Sequence, residues 1–139
     1  MKRVLVDAGP LVAIFSPADR YHDSCVQSLA SLPNQLFSCW PVIAEAAWLL
    51  RSSDAAVRLL LNGIAKEFID VLPLGNSEAA EISKVLEKYR NLRPQLAAAA
   101  LVYLAARESI DTIFTLDRRD FSVYRSARNR PFLIIPDVN

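Results

Sequence analysis

Histidine, cysteine and glycine are all scarce in this 139-residue chain, which has one histidine, two cysteines and three glycines. His22 alone cannot build a histidine-rich zinc site, and with no second histidine and no nucleophile elbow a Ser–His–Asp relay also fails. Cys25 and Cys39 lie far apart, which excludes a disulfide scaffold and fits a reducing compartment, so a cytoplasmic location is expected. Three glycines leave no glycine-rich phosphate loop, so the dinucleotide-binding and P-loop fingerprints are both ruled out. No run approaches the ~18 apolar residues of a membrane span. The apolar stretch after Lys2 and Arg3 is too short for the core of a signal peptide. An excess of one charge is also lacking. Sixteen Lys and Arg against fifteen Asp and Glu give a net charge of +1, so long-range attraction to nucleic acid or an anionic membrane is not the main recognition device.

Apolar residues make up 53% of the chain. A chain of this length falls within the ~100–200 residues of one domain and buries roughly 68–70% of its unfolded surface. One domain over residues 1–139 is therefore expected.

Short β-branched or aromatic runs occur at residues 4–6, 36–39, 69–72, 112–116 and 132–135. They are apolar throughout rather than alternating, as strands buried on both faces are. Helical periodicity fills the intervals: 22–32, 41–50, 55–68, 77–89 and the alanine-rich 96–107. Strands alternating with helices predict βαβ crossovers, hence an α/β chain with a central, mostly parallel sheet of four to five strands covered on both faces. The strand order is not readable from the pattern.

In open parallel sheets, ligands bind beyond the carboxyl ends of the strands, where the strand order reverses. Acidic residues just after strands are therefore the first candidates. Asp7 ends the first strand, and Asp117 ends the fourth, with Asp120 three residues on. Glu45 stands alone in the apolar stretch Val42-Ile43-Ala44-Glu45-Ala46-Ala47-Trp48, where a charge must be paired, bind a metal or turn to water. Each has a plain structural reading as well. Asp7 could cap a helix beginning after Pro10, Asp117 and Asp120 could be turn residues or partners of Arg118 and Arg119, and His22 could sit on the exposed side of its helix. Taken together, the three separated carboxylates favour a hard-cation site, for which Mg²⁺ or Mn²⁺ is suited, and such sites commonly serve phosphate chemistry. Residues 118–139 carry five arginines among which Phe121 and Tyr124 are interleaved. Arg118, Arg119, Tyr124 and Arg125 are thus candidates for gripping and stacking on RNA, beside the alternative of a solvated basic loop. Trp40 and Trp48 read as core or interface anchors.

Three blocks, Val4-Leu5-Val6-Asp7-Ala8-Gly9-Pro10-Leu11, Pro41-Val42-Ile43-Ala44-Glu45 and Thr115-Leu116-Asp117-Arg118-Arg119-Asp120-Phe121, resemble the PIN-domain nucleases, in particular the VapC-type toxins of prokaryotic toxin–antitoxin systems. The resemblance covers essentially the whole chain. It implies a three-layer α/β/α fold, an acidic pocket holding Mg²⁺ or Mn²⁺, and endonucleolytic cleavage of RNA to a 5′-phosphate and a 3′-hydroxyl. It further implies homodimers and a small antitoxin protein as inhibitor. Asp7, Glu45, Asp117 and Asp120 match the family's acidic positions, with Asp7, Glu45 and Asp117 as metal ligands and Asp120 shaping the cage. One member is missing: Ala98 stands where the family usually has an aspartate at the start of a helix. A degenerate copy and a deliberate replacement would read alike. Two functions remain open at this point, a metal-dependent endoribonuclease impaired by Ala98 and a silent module that binds RNA or a partner protein without cutting.

Overall fold

A computed structural model describes residues 2–32 and 35–136. The five expected strands form β1 (Arg3–Val6), β2 (Gln35–Ser38), β3 (Ile69–Val71), β4 (Thr112–Phe114) and β5 (Leu133–Ile135). All pair in parallel in the order β3-β2-β1-β4-β5. Leu5 is registered against both Phe37 of β2 and Ile113 of β4. The central strands are dark on both faces: Val4, Leu5, Val6, Ile113 and Phe114 have no exposed surface, which is why these segments carry no polar alternation. The edge strands differ, with Asp70 of β3 and Leu133 of β5 turned to water.

Helices α1 (Ala8–Phe15), α2 (His22–Ser31), α3 (Trp40–Leu49), α4 (Asp54–Ala65), α5 (Ala79–Lys88) and α6 (Leu96–Glu108), with the short α7 (Arg118–Phe121), cover the sheet in a three-layer α/β/α arrangement. α1 packs on α2, α3 and α4, while α6 packs on α3 and α5. Alanine is what lets α6 lie deep. Ala97, Ala99, Ala100 and Ala105 are buried with Leu101 and Leu104, so a helix of short side chains sits close to its neighbours.

Several boundaries differ from expectation. α1 begins directly after Asp7, not after Pro10; proline is tolerated there because the first-turn N–H groups have no intrahelical partner anyway. α4 stops at Ala65, since Glu67 adopts a left-handed φ of 65° and Phe68 swings out to solvent. Leu61 is also exposed. His22 does not simply face water: its Nδ1 donates to the Ala13 carbonyl at 2.7 Å, tying α2 to α1.

From β1 the chain moves outward to β2 and β3, then returns to place β4 on the opposite side of β1. The strand order therefore reverses between β1 and β4. Their carboxyl ends diverge into a crevice, and Asp7 and Thr115 are the first residues beyond them.

Candidate active site

Asp7 sits where β1 becomes α1. Its backbone N–H continues the ladder to the Phe114 carbonyl (2.9 Å), and Oδ1 accepts the Ala8 N–H at 2.8 Å as the α1 cap. Oδ2 accepts from Thr115 Oγ1 at 2.8 Å. Thr115 is fully buried, and its Oγ1 also accepts the Asp117 N–H at 3.0 Å. A single hydroxyl thus locks the carboxylate at the end of β1 to the turn at the end of β4. Asp117 in turn caps α7, its Oδ1 accepting the Asp120 N–H at 3.1 Å. Gly9 packs against the same turn: a Cβ there would lie 3.4 Å from the Leu116 side chain.

Glu45 comes from α3 on the other side of β1. It lines one cavity of about 630 Å³ together with Asp7, Asp117 and Asp120, joined by Gly9, Leu49, Ala98, Thr115, Leu116 and Tyr124. Sequence separation of 110 residues between Asp7 and Asp117 is closed by the β1–β4 pairing. Arg93-Pro94-Gln95, the segment leading into α6, also lines the cavity.

Burial and mutual repulsion act together on the cavity's carboxyl groups. Burial raises the Asp7 carboxyl above its ordinary value, and the Asp117 charge adds to this against the two hydrogen bonds. Glu45 is raised by burial and by Asp7. Asp120 is raised by burial and then by Asp117, with Arg119 opposing. Tyr124 beneath them is pushed up to about 12 by burial and by Asp120, Asp117 and Asp7. None of the four carboxylates takes part in an ion pair among the described residues. Arg51, the nearest cation to Glu45 along the sequence and just past the end of α3, stacks instead on Trp48, 3.8 Å from its ring centroid. Carboxylate oxygens of this kind fit a hard divalent cation of the Mg²⁺ or Mn²⁺ class. Among the described residues no three His, Cys, Asp or Glu side chains lie close enough together to hold a metal ion as they stand. Ala98, third residue of α6, lines the same cavity and offers it only a methyl group.

The residues expected to meet RNA are arranged differently. Tyr124 is 1% exposed and is no stacking platform: its ring is clamped edge-on by Tyr89 and Phe121, both at 4.9 Å, with Phe132 packed behind Phe121. Phe121 is likewise buried. Arg125 Nη1 donates to the carbonyls of Ser122, Val123 and Tyr124, closing the end of α7. Arg118 Nη1 donates to the Pro136 carbonyl at 2.8 Å and fastens the last strand. Arg119 stays exposed beside Asp120. Trp40 and Trp48 are 57% and 64% exposed, so they are not core residues. Thr115 and Arg93 were not singled out by sequence reasoning. A threonine at a strand end carries no distinguishing signal, and the only hint at Arg93 is the proline that follows it.

The profile of the PIN domain family matches residues 4–126. Ribonuclease VapC26 of Mycobacterium tuberculosis is 30% identical over 135 residues, covering 96% of this chain and 100% of that protein. The crystal structure of Mycobacterium tuberculosis VapC20, described as a sarcin–ricin loop cleaving toxin, superposes with a TM-score of 0.81 at 18% identity, covering 92% of this chain and 99% of that one. That likeness is one of fold.

Proposed function

This chain belongs to the PIN domain family, and we propose that it is a metal-dependent endoribonuclease of the VapC toxin type, impaired by Ala98. The observation that carries the reading is the cavity at the strand reversal, where Asp7, Glu45, Asp117 and Asp120 converge with no cation paired to them. The 30% identity to a ribonuclease along its full length supports RNA as substrate.

Asp7, Glu45 and Asp117 would hold Mg²⁺ or Mn²⁺, and Asp120 shapes the cage from the first turn of α7. What the ion supplies when bound is positive charge against the growing negative charge on the phosphoryl oxygens, and acidification of water. Thr115 fixes the Asp7 carboxylate by holding one oxygen while the Ala8 N–H holds the other. Leu49 and Leu116 form the apolar part of the wall and limit the water around the carboxylates. The expected partners follow the VapC reading: RNA, a small antitoxin protein, and a second copy of the chain through the exposed apolar residues Trp40, Trp48, Leu49 and Leu96. No helix among the described residues is long and apolar enough to cross a membrane. Cys25 and Cys39 are unpaired and buried, in keeping with work in the cytoplasm.

Ala98 favours a second reading, a module that binds RNA without cutting. Ala98→Asp separates the two. It adds a carboxylate in the first turn of α6, a position the helix dipole favours. Losses outside the inner ligand set cost ~10–100-fold in metal affinity or activity, and a ligand itself should matter at least as much. Cleavage of single-stranded RNA in Mn²⁺ should therefore rise by that factor or more in Ala98→Asp. Its melting temperature should fall in chelator and rise further than the parent's on adding Mn²⁺. If Ala98→Asp stays inert and both proteins show equal metal-induced shifts, the chain is the silent module.

A further inference from the structure

The cavity carries four carboxylates on the side of β1, β4 and α3, yet its proposed substrate is a polyanion. Some group lining the cavity must hold phosphate against that repulsion. Arg93 is the one cation lining the cavity. It is exposed, and its side chain has no hydrogen bond or ion pair with any described residue. It contrasts with Arg118 and Arg125, whose guanidinium groups are bound to backbone carbonyls. Arg93 lines the same cavity as the four carboxylates and makes no ion pair with any of them.

Its backbone is left-handed, as it also is at Glu67, Ser109, Arg128 and Asn129. Arg93 closes the 3₁₀ turn Arg90–Leu92 at φ 50° and ψ 55°, a left-handed conformation that glycine or asparagine adopts at less cost. The Arg93 N–H is bonded to the Arg90 carbonyl at 3.1 Å, and Pro94 stiffens the following residue before α6 begins. An arginine is thus carried in a strained position, on a rigid turn, at the mouth of an acidic cavity.

We propose that Arg93 is a phosphate-positioning residue: its guanidinium fork grips a phosphodiester of single-stranded RNA and seats the neighbouring phosphate against Asp7, Glu45 and Asp117. The planar fork matches two phosphate oxygens at once, which lysine cannot do. The inference rests on the nuclease reading of the same cavity.

The test is anisotropy titration of a short fluorescein-labelled single-stranded RNA in Mg²⁺, at several salt concentrations, for the unaltered chain, Arg93→Gly, Arg93→Lys and Arg58→Ala. Arg93→Gly removes the cation while relieving the left-handed strain, so its melting temperature should hold or rise and a binding loss cannot be blamed on misfolding. Its affinity should fall about tenfold or more, and the slope of log affinity against log salt should shrink by about 0.7, the share of one phosphate contact on a single strand. Arg93→Lys should keep most of the slope and lose part of the affinity, and Arg58→Ala on α4 should change neither. In the Ala98→Asp background, Arg93→Gly should raise KM with little change in kcat. If Arg93→Gly binds RNA with unchanged affinity and slope, or the unaltered chain binds no RNA, the inference is overturned. Cleavage by Ala98→Asp with no effect of Arg93→Gly leaves the nuclease reading standing and removes Arg93 from it. A loss of binding in Arg93→Gly without any cleavage by Ala98→Asp does the reverse.

Discussion

Thr115→Val exchanges a buried hydroxyl for a methyl of nearly the same volume, so the cost it exacts is that of two hydrogen bonds. The first is donated to Asp7 Oδ2 at 2.8 Å, the second accepted from the Asp117 N–H at 3.0 Å. Losing a bond to a charged group costs about 1.5–3 kcal/mol, and a backbone N–H left without its partner about 1 kcal/mol more. At pH 7 in chelator the variant should therefore be less stable by roughly 2–4 kcal/mol, measured by urea unfolding. The larger part should depend on pH. Asp7 in the folded protein is already raised above its ordinary value by burial, and the Thr115 bond restrains that rise. Removing the bond lets the folded-state value climb further. A carboxyl whose folded value lies above its unfolded one contributes stability that is fully present below the unfolded value of 3.8 and lost as pH rises through the folded value. In the variant that loss extends to higher pH, so the gap from the parent should widen between about pH 4 and pH 7 and shrink to the ~1 kcal/mol of the orphaned N–H below it. Carboxyl ¹³C titration of Asp7 should show the same upward move. A destabilisation equal at both ends of that range, or an unmoved Asp7 titration, would refute the claim that Thr115 holds the ionised carboxylate.

Glu78 makes the opposite prediction. It accepts from the Gly75 N–H, Tyr103 and Arg107, which hold its carboxyl down at about 2, so its contribution is present above 4.5 and lost as pH falls toward 2. Glu78→Gln should lower the melting temperature at pH 7 and converge on the parent in acid; an equal deficit at both would place the effect in packing. For the proposed dimer, Trp40→Lys should shift light scattering from two copies to one at tens of micromolar, and a monomeric parent would remove that interface from the account.

The parts of the site that were readable came from local rules applied to strand ends. Asp7 and Asp117 are legible as candidates because apolar runs locate strands, and a parallel sheet places ligands beyond their carboxyl ends. Glu45 was found because a lone charge on an apolar helix needs a reason. Thr115 was not, because its role exists only once β4 lies beside β1, a pairing set by the strand order that the pattern leaves open. Tyr124 failed for a related reason. An aromatic among arginines has the composition of a nucleic-acid surface, and part of what buries it, Tyr89 after α5, comes from elsewhere in the chain.

Asp7 shows why the plain and the functional readings of a residue need not compete. As a cap, it gives Oδ1 to the Ala8 N–H, and that bond sets the rotation of the carboxylate about its own Cβ. Thr115 then takes up Oδ2 in the plane so fixed. The two contacts orient the group in a place where burial alone would favour its neutral form. Capping is thus how the fold keeps a costly charge at the strand end, and a substitution that spares the cap should keep α1 while emptying the site of its charge. Asp7 was weighed as a helix cap or as a ligand; the structure makes it the cap, and the proposed chemistry requires that it be both.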